Sequence, residues 1–381
     1  MTEDRNRTAA PLGEGTPPYK DGTVRVGIIG VGNCARALVE GAHFYEQNPD
    51  VRAGLMNYDI GGYLPHDLRF AAAWDVDRDK VGKDLSDAIR GGQNLDVGID
   101  AHVPWLSTEV WRGPTLDGAG ERYRERMVLA DDWANLSGEE VVAQIHEADV
   151  HVLLNYLPVG SQDATEWWAN VAIEAGVGFV NNVPVFIARK DYWRDRFRES
   201  GLPLIGDDIK SQYGATYTHR LLVRAFRDRG IELDRTYQLN VGGNMDFYNM
   251  LERSRLASKR ESKSSAVTDA YERELSPQDV HIGPSDYVQW MGDTKKAFIR
   301  CEGRGFGGAP VELEMQLTVP DSPNSAGVVI DAARIAKLAM DRGDASVDEW
   351  VSAWLFKAPP RTVAEVSDLA AMQKLDEWIG G

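Results

Sequence analysis

Five short apolar runs, each ending in a polar or glycine-rich loop, mark the first half of the chain. They lie at residues 24–30, up to Trp74, 149–157, 177–181 and 202–205. Runs of this length, rich in aliphatic residues, are typical of strands buried on both faces of a parallel sheet. Helix-like segments separate them. Strands that alternate with helices predict an α/β fold with a doubly wound parallel sheet.

The pattern changes beyond residue 208. After a predicted amphipathic helix at about 212–229, residues 311–319 alternate strictly between apolar and polar side chains. Strict alternation predicts a half-buried strand with one face toward water or a partner. Similar runs at 236–241, 286–290 and 297–303 complete a predicted antiparallel sheet, and a helix returns at about 325–342.

These patterns divide the chain into four predicted parts. We expect a disordered leader at 1–23, the first part of the larger domain at 24–208, a smaller sheet domain at 209–320 and a return to the larger domain at 321–381. The leader is polar and contains Pro and Gly, unlike a signal peptide.

Composition narrows the class of protein. Hydrophobic residues make up 43% and charged residues 27%, ordinary values for a soluble globular protein, and we expect a cytoplasmic one. Only Cys34 and Cys301 are present, so the sequence predicts neither a disulfide framework nor a cysteine metal cluster, and any metal site stays unassigned. The net charge of −17 argues against nucleic acid or an anionic membrane as partner.

A glycine-rich turn follows the first predicted strand. In the pattern Gly30-x-Gly32-x-x-Ala35, Gly30 permits the turn, Gly32 lets a pyrophosphate approach, and Ala35 allows close packing of the helix on the strand. Asp75, at the end of the second strand, is the expected acceptor for a ribose hydroxyl and favours NAD over NADP. Because Asp75 lies farther along the chain than usual, residues 44–67 are predicted to be an insertion. The alternative is a glycine turn without a nucleotide.

Three strand-end loops are expected to line the same crevice, since ligands of such sheets bind beyond the carboxyl ends of the strands. They lie at residues 158–161, 181–184 and 206–208. Taken alone, each loop is equally consistent with ordinary turn chemistry.

Several lysines are candidates for binding a phosphate. Lys259 and Lys263, four residues apart, would share one face of a helix, where an anion would relieve their repulsion. Lys295 follows a Gly-Asp-Thr turn, and Lys357 is a lone cation between an apolar run and two prolines. The alternatives are a solvated basic helix end for the first two and a surface lysine with a buried stem for Lys357.

Taken together, these motifs identify a resemblance. The chain resembles the inositol-3-phosphate synthase family, and most closely its shorter archaeal and actinobacterial branch, from about residue 24 to its C-terminus. The matching blocks are GVGNCA (30–35), DVDRDKVGKDLSDAI (75–89), RGPTLDG (112–118), YLPVGS (156–161), GDDIKSQ (206–212), LNVGGNMDF (239–247), SKRESKS (258–264), DSPNSAG (321–327) and KAPP (357–360).

The resemblance implies a Rossmann-type NAD-binding domain built from the N-terminal half and the C-terminal tail. It also implies a smaller α+β sheet domain that covers the active site and forms a homotetramer. In the family, bound NAD oxidises carbon 5 of glucose 6-phosphate, a proton leaves carbon 6, and the enolate attacks carbon 1. The NADH then reduces the ketone, so that 1D-myo-inositol 3-phosphate forms without net redox change.

The resemblance also implies a set of site residues. The expected catalytic residues are Lys259, Lys263, Lys295, Lys357, Asp208, Asn244, Asp246 and Asp321. The expected cofactor-binding residues are Gly30, Gly32, Asn33, Cys34, Ala35, Asp75, Leu157, Pro158, Val159, Gly160, Asn181 and Pro184, with Asp208 and Asp321 shared between the two sets. We expect Lys357 or Lys259 to transfer the proton at the carbon-5 oxygen. Lys263 and Lys295 would hold the phosphate or polarise the aldehyde, and Asp321 would orient a lysine or the nicotinamide amide.

Four residues depart from the pattern of the family. Tyr213 and Tyr217 stand where aliphatic residues are expected, and Asn155 and Asn182 stand where smaller residues are common. A relative that closes another hexose phosphate, such as fructose 6-phosphate, to a five-membered cyclitol therefore remains an alternative. An ordinary NAD-dependent sugar-phosphate dehydrogenase is the second alternative. A non-catalytic NAD sensor is disfavoured because all four lysines are present.

Overall fold

A computed structural model describes residues 22–131, 137–252, 275–361 and 367–381. Most of the predicted leader, and Lys259 and Lys263, lie outside these residues. The α-helices within them are α1 (Asn33–Gln47), α2 (Leu85–Ala88), α3 (Glu121–Arg124), α4 (Gly138–Glu147), α5 (Gln162–Ala175), α6 (Asp191–Glu199), α7 (Ala215–Asp228), α8 (Met245–Asn249), α9 (Asp321–Arg342), α10 (Asp348–Leu355) and α11 (Asp368–Gly380).

A six-stranded parallel sheet forms the larger layer. Its strands are β1 (Val24–Ile29), β2 (Leu68–Asp75), β3 (Val110–Arg112), β4 (Val152–Asn155), β5 (Gly178–Asn181) and β6 (Leu204–Gly206), in the spatial order β3-β2-β1-β4-β5-β6. The order runs outward from β1 in both directions, which is the doubly wound arrangement, so the predicted α/β fold is confirmed. Sequence analysis missed β3, whose three residues are too few to show a period.

The long helix α9 returns the chain to this sheet. It packs on α1 and on strands β1, β4, β5 and β6, and most of its side chains are buried. The helix begins at Asp321, earlier than the predicted Ser325, directly after the last strand of the second sheet. This early start places Asp321 and Ser322 in the first turn, at the junction of the two sheets.

The predicted insertion before β2 is held against α9. Helix α1 continues to Gln47, so the irregular segment begins at residue 48 rather than 44. The buried guanidinium of Arg334 donates to the backbone carbonyls of Asn57, Tyr58 and Tyr63 and pairs with Asp331 at 2.6 Å. These contacts satisfy backbone oxygens of the irregular segment and hold it on α9.

The second sheet has the order β10-β9-β7-β8. Its strands are β7 (Glu232–Gly242), β8 (Val280–Tyr287), β9 (Thr294–Arg304) and β10 (Pro310–Pro320). The prediction of a purely antiparallel sheet was wrong, because β8 pairs with β7 in the parallel direction. The strand expected at 286–290 also lies earlier. A parallel pair needs a long crossover, and residues 243–279, which include α8, supply it.

Helix α7 covers one face of the second sheet, where Val223 and Phe226 pack with Leu233, Ile299 and Cys301. The opposite face carries the exposed side chains of Leu239 and Phe298, which are register partners on β7 and β9. Strand β10 is an edge of the sheet. No described helix combines the length and the apolar character needed to cross a bilayer.

Candidate active site

A cavity lies between the carboxyl ends of the parallel strands and the second sheet. Many of the predicted site residues line it, namely Gly32, Asn33, Cys34, Leu157, Pro158, Val159, Pro184, Asp208, Asn244, Asp246, Lys295, Asp321 and Lys357. An adjoining cavity shares Gly32, Leu157 and Pro158 and is bordered by Gly30 and Asp75. The fold therefore brings together segments from both halves of the chain.

The glycine turn leaves room for a ligand. Gly30 has φ +90°, a conformation that favours glycine, and a Cβ there would lie 3.0 Å from the carbonyl oxygen of Tyr156. A Cβ at Gly32 would meet no described atom within 4 Å. Gly32 is also the N-cap of α1, and within the described residues no side chain caps this helix end. The backbone N–H groups of the first turn therefore suit a pyrophosphate.

Asp75 lies beside this turn and holds its shape. Its carboxylate accepts hydrogen bonds from the backbone N–H groups of Val31 at 2.7 Å, Val76 at 2.7 Å and Asp77 at 2.9 Å. The ammonium of Lys80 lies 3.7 Å away and donates to the carbonyl of Val31. Sequence analysis did not select Asp77 or Lys80, although both line the two cavities.

Three of the predicted cofactor residues do not line either cavity. Ala35 is fully buried, where it packs α1 on the sheet, and Gly160 lies in the loop after β4. The amide of Asn181 is buried and donates to the carbonyl of Val185 and to Asp207 at 2.7 Å. Burial raises the pKa of Asp207 to about 7, although hydrogen bonds from Asn181 and three backbone N–H groups oppose the shift. Asn182, the next residue, does line the cavity.

Lys357 pairs with Asp208 inside the cavity. The ammonium lies 2.8 Å from the carboxylate, and the side chain of Lys357 is 14% exposed. Backbone hydrogen bonds bring the two residues together. The N–H of Lys357 donates to the carbonyl of Asp208, and the N–H of Ala358 donates to the carbonyl of Asp207. A surface lysine with a buried stem, the alternative left open by the sequence, does not describe this residue.

Lys295 pairs with Asp321. Its ammonium lies 3.3 Å from the carboxylate, whose other oxygen accepts a hydrogen bond from the amide of Asn244 at 3.1 Å. Burial alone would lower the pKa of Lys295, but the carboxylates of Asp321, Asp246 and Asp208 outweigh it and raise the pKa. Lys295 therefore stays an ammonium throughout the neutral range.

Asp293, missed by the sequence analysis, connects several of these residues. Its carboxylate accepts hydrogen bonds from Asn33 at 3.1 Å, Asn244 at 3.0 Å and the hydroxyl of Ser322 at 2.7 Å. The pKa of Asp293 is raised by burial and by the nearby charge of Asp321, although the hydrogen bonds from Asn244 and Ser322 oppose the shift. The sequence signal that could have identified Asp293 is its place two positions before Lys295, in the turn that precedes β9.

Lys210 is a second buried lysine that the sequence analysis did not select, although it lies in a matching block. Its ammonium donates to the carbonyl of Ala353 at 2.7 Å and to Asp368 at 2.6 Å. Burial lowers the pKa of Lys210 to about 8, and Asp368 opposes the shift. Lys210 lines a small pocket with Ser211, Lys295, Lys357 and the N-terminus of α7.

This geometry provides two kinds of chemistry. Two ammonium groups, each held by a carboxylate, face one cavity, where they can stabilise developing negative charge or exchange a proton. The adjoining glycine turn and helix N-terminus suit the phosphates of a dinucleotide. Within the described ranges, no group of three or more His, Cys, Asp or Glu side chains is arranged to hold a metal ion.

Comparison with known proteins decides the family. Residues 214–322 match the family model described as myo-inositol-1-phosphate synthase. The inositol-3-phosphate synthase of Mycobacterium tuberculosis is 51% identical over 366 residues, which cover 96% of this chain and 98% of that protein. The chain belongs to the inositol-3-phosphate synthase family. It is accordingly an isomerase of that family, as the resemblance predicted.

Solved structures agree with this membership. The crystal structure of Ari2 superposes with a TM-score of 0.77 at 32% identity, covering 94% of this chain and 100% of that one. A myo-inositol-1-phosphate synthase-related protein from Thermotoga maritima gives a TM-score of 0.79 at 25% identity, with 94% and 98% covered. Both superpositions include the parallel sheet and the second sheet.

Proposed function

We propose that the chain cyclises glucose 6-phosphate to 1D-myo-inositol 3-phosphate, with NAD bound as an internal oxidant and reductant. The observation that carries this proposal is the meeting of two lysine–carboxylate pairs in one cavity beside the glycine turn. Lys357 is paired with Asp208, and Lys295 with Asp321. The M. tuberculosis relative is an inositol-3-phosphate synthase, which supports the choice of product.

The residues at the glycine turn fit NAD. The open space at Gly32 and the N-terminus of α1 would accept the pyrophosphate. Asp75 would accept a hydrogen bond from the adenosine ribose, and its negative charge disfavours the 2′-phosphate of NADP. When bound, NAD supplies a hydride acceptor for the sugar and afterwards the hydride donor.

The small pocket at the start of α7 fits the phosphate of the sugar. Helix α7 begins after Gly214, and its N–H groups and dipole favour an anion. Ser211, Lys295 and Lys357 line the same pocket. The Nδ2 of Asn240 also lines it, is buried and has no hydrogen-bond partner in the described part of the chain. We assign the phosphate to this pocket, with Lys295 and, from outside the described residues, Lys263 as its lysines.

Proton transfer at the carbon-5 oxygen is assigned to Lys357, with Lys259 as the other candidate. Asp208 fixes the ammonium of Lys357 at 2.8 Å, so the group is positioned before the substrate binds. Asp208 has φ +60°, which is uncommon for a residue other than glycine. Its backbone hydrogen bonds with Lys357 and Val183 hold this conformation.

Charge that develops on the sugar during enolisation and ring closure needs cations that do not have to reorganise. Lys295 remains an ammonium because its carboxylate neighbours raise its pKa. Asp321, in the first turn of α9, holds Lys295, and Asn244, the N-cap of α8, holds Asp321 in turn. Preorganised cations of this kind stabilise an oxyanion without the reorganisation that water requires.

Assembly into a homotetramer is part of the proposal. Edge strand β10 has half-buried apolar side chains on one face and exposed polar side chains on the other. The exposed pair Leu239 and Phe298 adds an apolar patch to the uncovered face of the sheet. Exposed apolar side chains beside an open sheet edge are typical of a surface that another subunit covers.

The substrate is tested by incubating the chain with glucose 6-phosphate or fructose 6-phosphate and a catalytic amount of NAD. Phosphorus NMR should show an inositol phosphate from glucose 6-phosphate and no cyclitol phosphate from fructose 6-phosphate. A cyclitol phosphate formed from fructose 6-phosphate, with none from glucose 6-phosphate, would make fructose 6-phosphate the substrate of the same type of cyclisation. The double variant Lys295→Met with Lys357→Met serves as the inactive control.

A further inference from the structure

Asn182 lines the cavity, and its buried side-chain amide is unpaired within the described residues. The residue is 5% exposed, and neither its Nδ2 nor its Oδ1 has a hydrogen-bond partner among the described residues. Its backbone is fixed, since its N–H donates to the carbonyl of Asn155 at 3.2 Å and its carbonyl accepts from Ile209 at 3.1 Å. A buried amide that lacks both partners is unfavourable unless a ligand supplies them.

The two neighbouring asparagines show a different arrangement. Asn155 donates to the side-chain oxygen of Asn181 at 2.9 Å, and Asn181 donates in turn to Asp207 at 2.7 Å. The backbone N–H of Leu157 donates to the side-chain oxygen of Asn155 at 3.1 Å. The protein thus pairs the asparagines that end β4 and β5 and leaves the amide of the next one, Asn182, unpaired in the cavity wall.

Two further buried groups in the cavity wall lack partners within the described residues. They are the hydroxyl of Tyr156 and the hydroxyl of Ser325. All three side chains are uncharged, in contrast to the lysine–carboxylate pairs elsewhere in the cavity. An uncharged ligand group that both donates and accepts hydrogen bonds can satisfy side chains of this kind.

The order of the strands indicates which ligand group lies here. Asp75 ends β2 on one side of β1, whereas Asn182 follows β5 on the other side. In a doubly wound sheet the two halves of a dinucleotide lie on opposite sides of the central switch point. With the adenosine over β2, the nicotinamide lies over β4 and β5, next to Asn182.

We propose that the side-chain amide of Asn182 binds the carboxamide of the nicotinamide ring. Its Nδ2 donates to the carboxamide oxygen, and its Oδ1 accepts from the carboxamide amino group, so the two amides pair in both directions. This pairing fixes the rotation of the ring and hence the face that meets the sugar. The inference rests on the proposed function, because it takes NAD as the dinucleotide.

The test compares NAD with 3-acetylpyridine adenine dinucleotide, in which a methyl ketone replaces the carboxamide and removes its N–H donors. Calorimetry measures both dissociation constants for the parent chain, Asn182→Ala and Asn182→Ser. Asn170→Ala is the matched control, because Asn170 lies on α5 away from the cavity and its amide donates to the carbonyl of Glu166. Thermal unfolding confirms that each variant is folded.

The parent should bind NAD more tightly than the analogue. Asn182→Ala should weaken NAD binding about tenfold, the scale for losing one or two hydrogen bonds, and should affect the analogue less. The preference for NAD should therefore shrink, and Asn170→Ala should retain it. An equal loss for both dinucleotides, or unchanged NAD binding with a raised KM for the sugar phosphate, would overturn the assignment. A parent chain that binds no NAD would instead contradict the proposed function itself.

Discussion

The ammonium of Lys357 lies 2.8 Å from the carboxylate of Asp208, a residue 149 positions earlier in the chain. The two residues meet because the segment after α10 pairs with the loop after β6 through backbone hydrogen bonds. Both side chains are largely buried, at 14% and 5% exposure. The pair therefore connects the C-terminal segment to the cavity and fixes the position of the proposed proton-transfer group.

Replacing Lys357 by Met should abolish this group and keep its apolar stem. Turnover should fall about a hundredfold or more, the scale for losing one preorganised group that faces developing charge. Stability should also fall, by up to about 3 kcal/mol, because Asp208 is left as an uncompensated buried charge.

The double variant Lys357→Met with Asp208→Asn separates the two effects. It removes both charges, so urea unfolding should show recovered stability while turnover stays low. Turnover within about threefold of the parent in the single variant would remove Lys357 from the catalytic set.

Asp75 should control the choice of dinucleotide. Asp75→Ala deletes the proposed ribose acceptor together with its hydrogen bond from Val31 in the glycine turn and two hydrogen bonds within its own loop, so NAD binding should weaken about tenfold or more. Asp75→Asn is the matched control, since it keeps an acceptor for the turn but removes the charge that repels a 2′-phosphate. Titrations should show a lower NAD preference over NADP in both variants. Equal affinities of the parent for NAD and NADP would refute the ribose assignment.

His219 should make the protein less stable in acid. Burial lowers the pKa of His219 to about 4, opposed by its contact with Gln238, so the folded chain binds its proton less readily than the unfolded chain. Between about pH 6.5 and 4 the unfolded chain therefore binds more protons, and stability falls as the pH falls. The contribution of His219 to the loss from pH 7 to pH 5 should be about 2 kcal/mol. Asp207, whose pKa burial raises to about 7, takes up its proton over the same range and acts in the opposite direction. Urea unfolding at the two pH values should therefore show a more unfavourable change in the parent than in His219→Gln.

The second sheet should carry a surface between subunits. Phe298→Asp would place a charge in the exposed apolar pair with Leu239 and should shift light scattering toward smaller species at micromolar concentration. Leu369→Asp, which adds the same charge at an exposed apolar residue of α11 outside the second sheet, is the matched control. A monodisperse monomer for the parent chain would contradict the proposed homotetramer.

The periodicity of the sequence predicted the parallel sheet and most of the second sheet. It could not predict the parallel pairing of β8 with β7, because direction depends on the crossover rather than on alternation within the strand. The matching blocks led to Lys357, Asp208 and Asp321, and the resemblance to the family led to Lys295. The sequence did not distinguish Asn181 from Asn182, since adjacent residues at the end of a strand point in different directions and only the fold shows which of the two lines the cavity.

Asp293 and Lys210 were overlooked for a related reason. Each lies inside a segment that the sequence analysis had quoted, but their roles depend on partners far along the chain. Asp293 contacts Asn33 and Asn244, and Lys210 contacts Asp368 near the C-terminus. Contacts of this kind leave no periodic pattern, so they emerge only once the two sheets and α9 are assembled.

The most direct test of the proposed function counts turnovers per NAD. The chain is stripped of bound dinucleotide and then given saturating glucose 6-phosphate and NAD at a small fraction of the substrate concentration. Phosphorus NMR should show inositol phosphate exceeding the NAD present many times over, with no sustained rise in absorbance at the NADH band. Product limited to one equivalent of NAD, with a matching amount of NADH released, would contradict the redox-neutral cyclisation and establish a simple dehydrogenase.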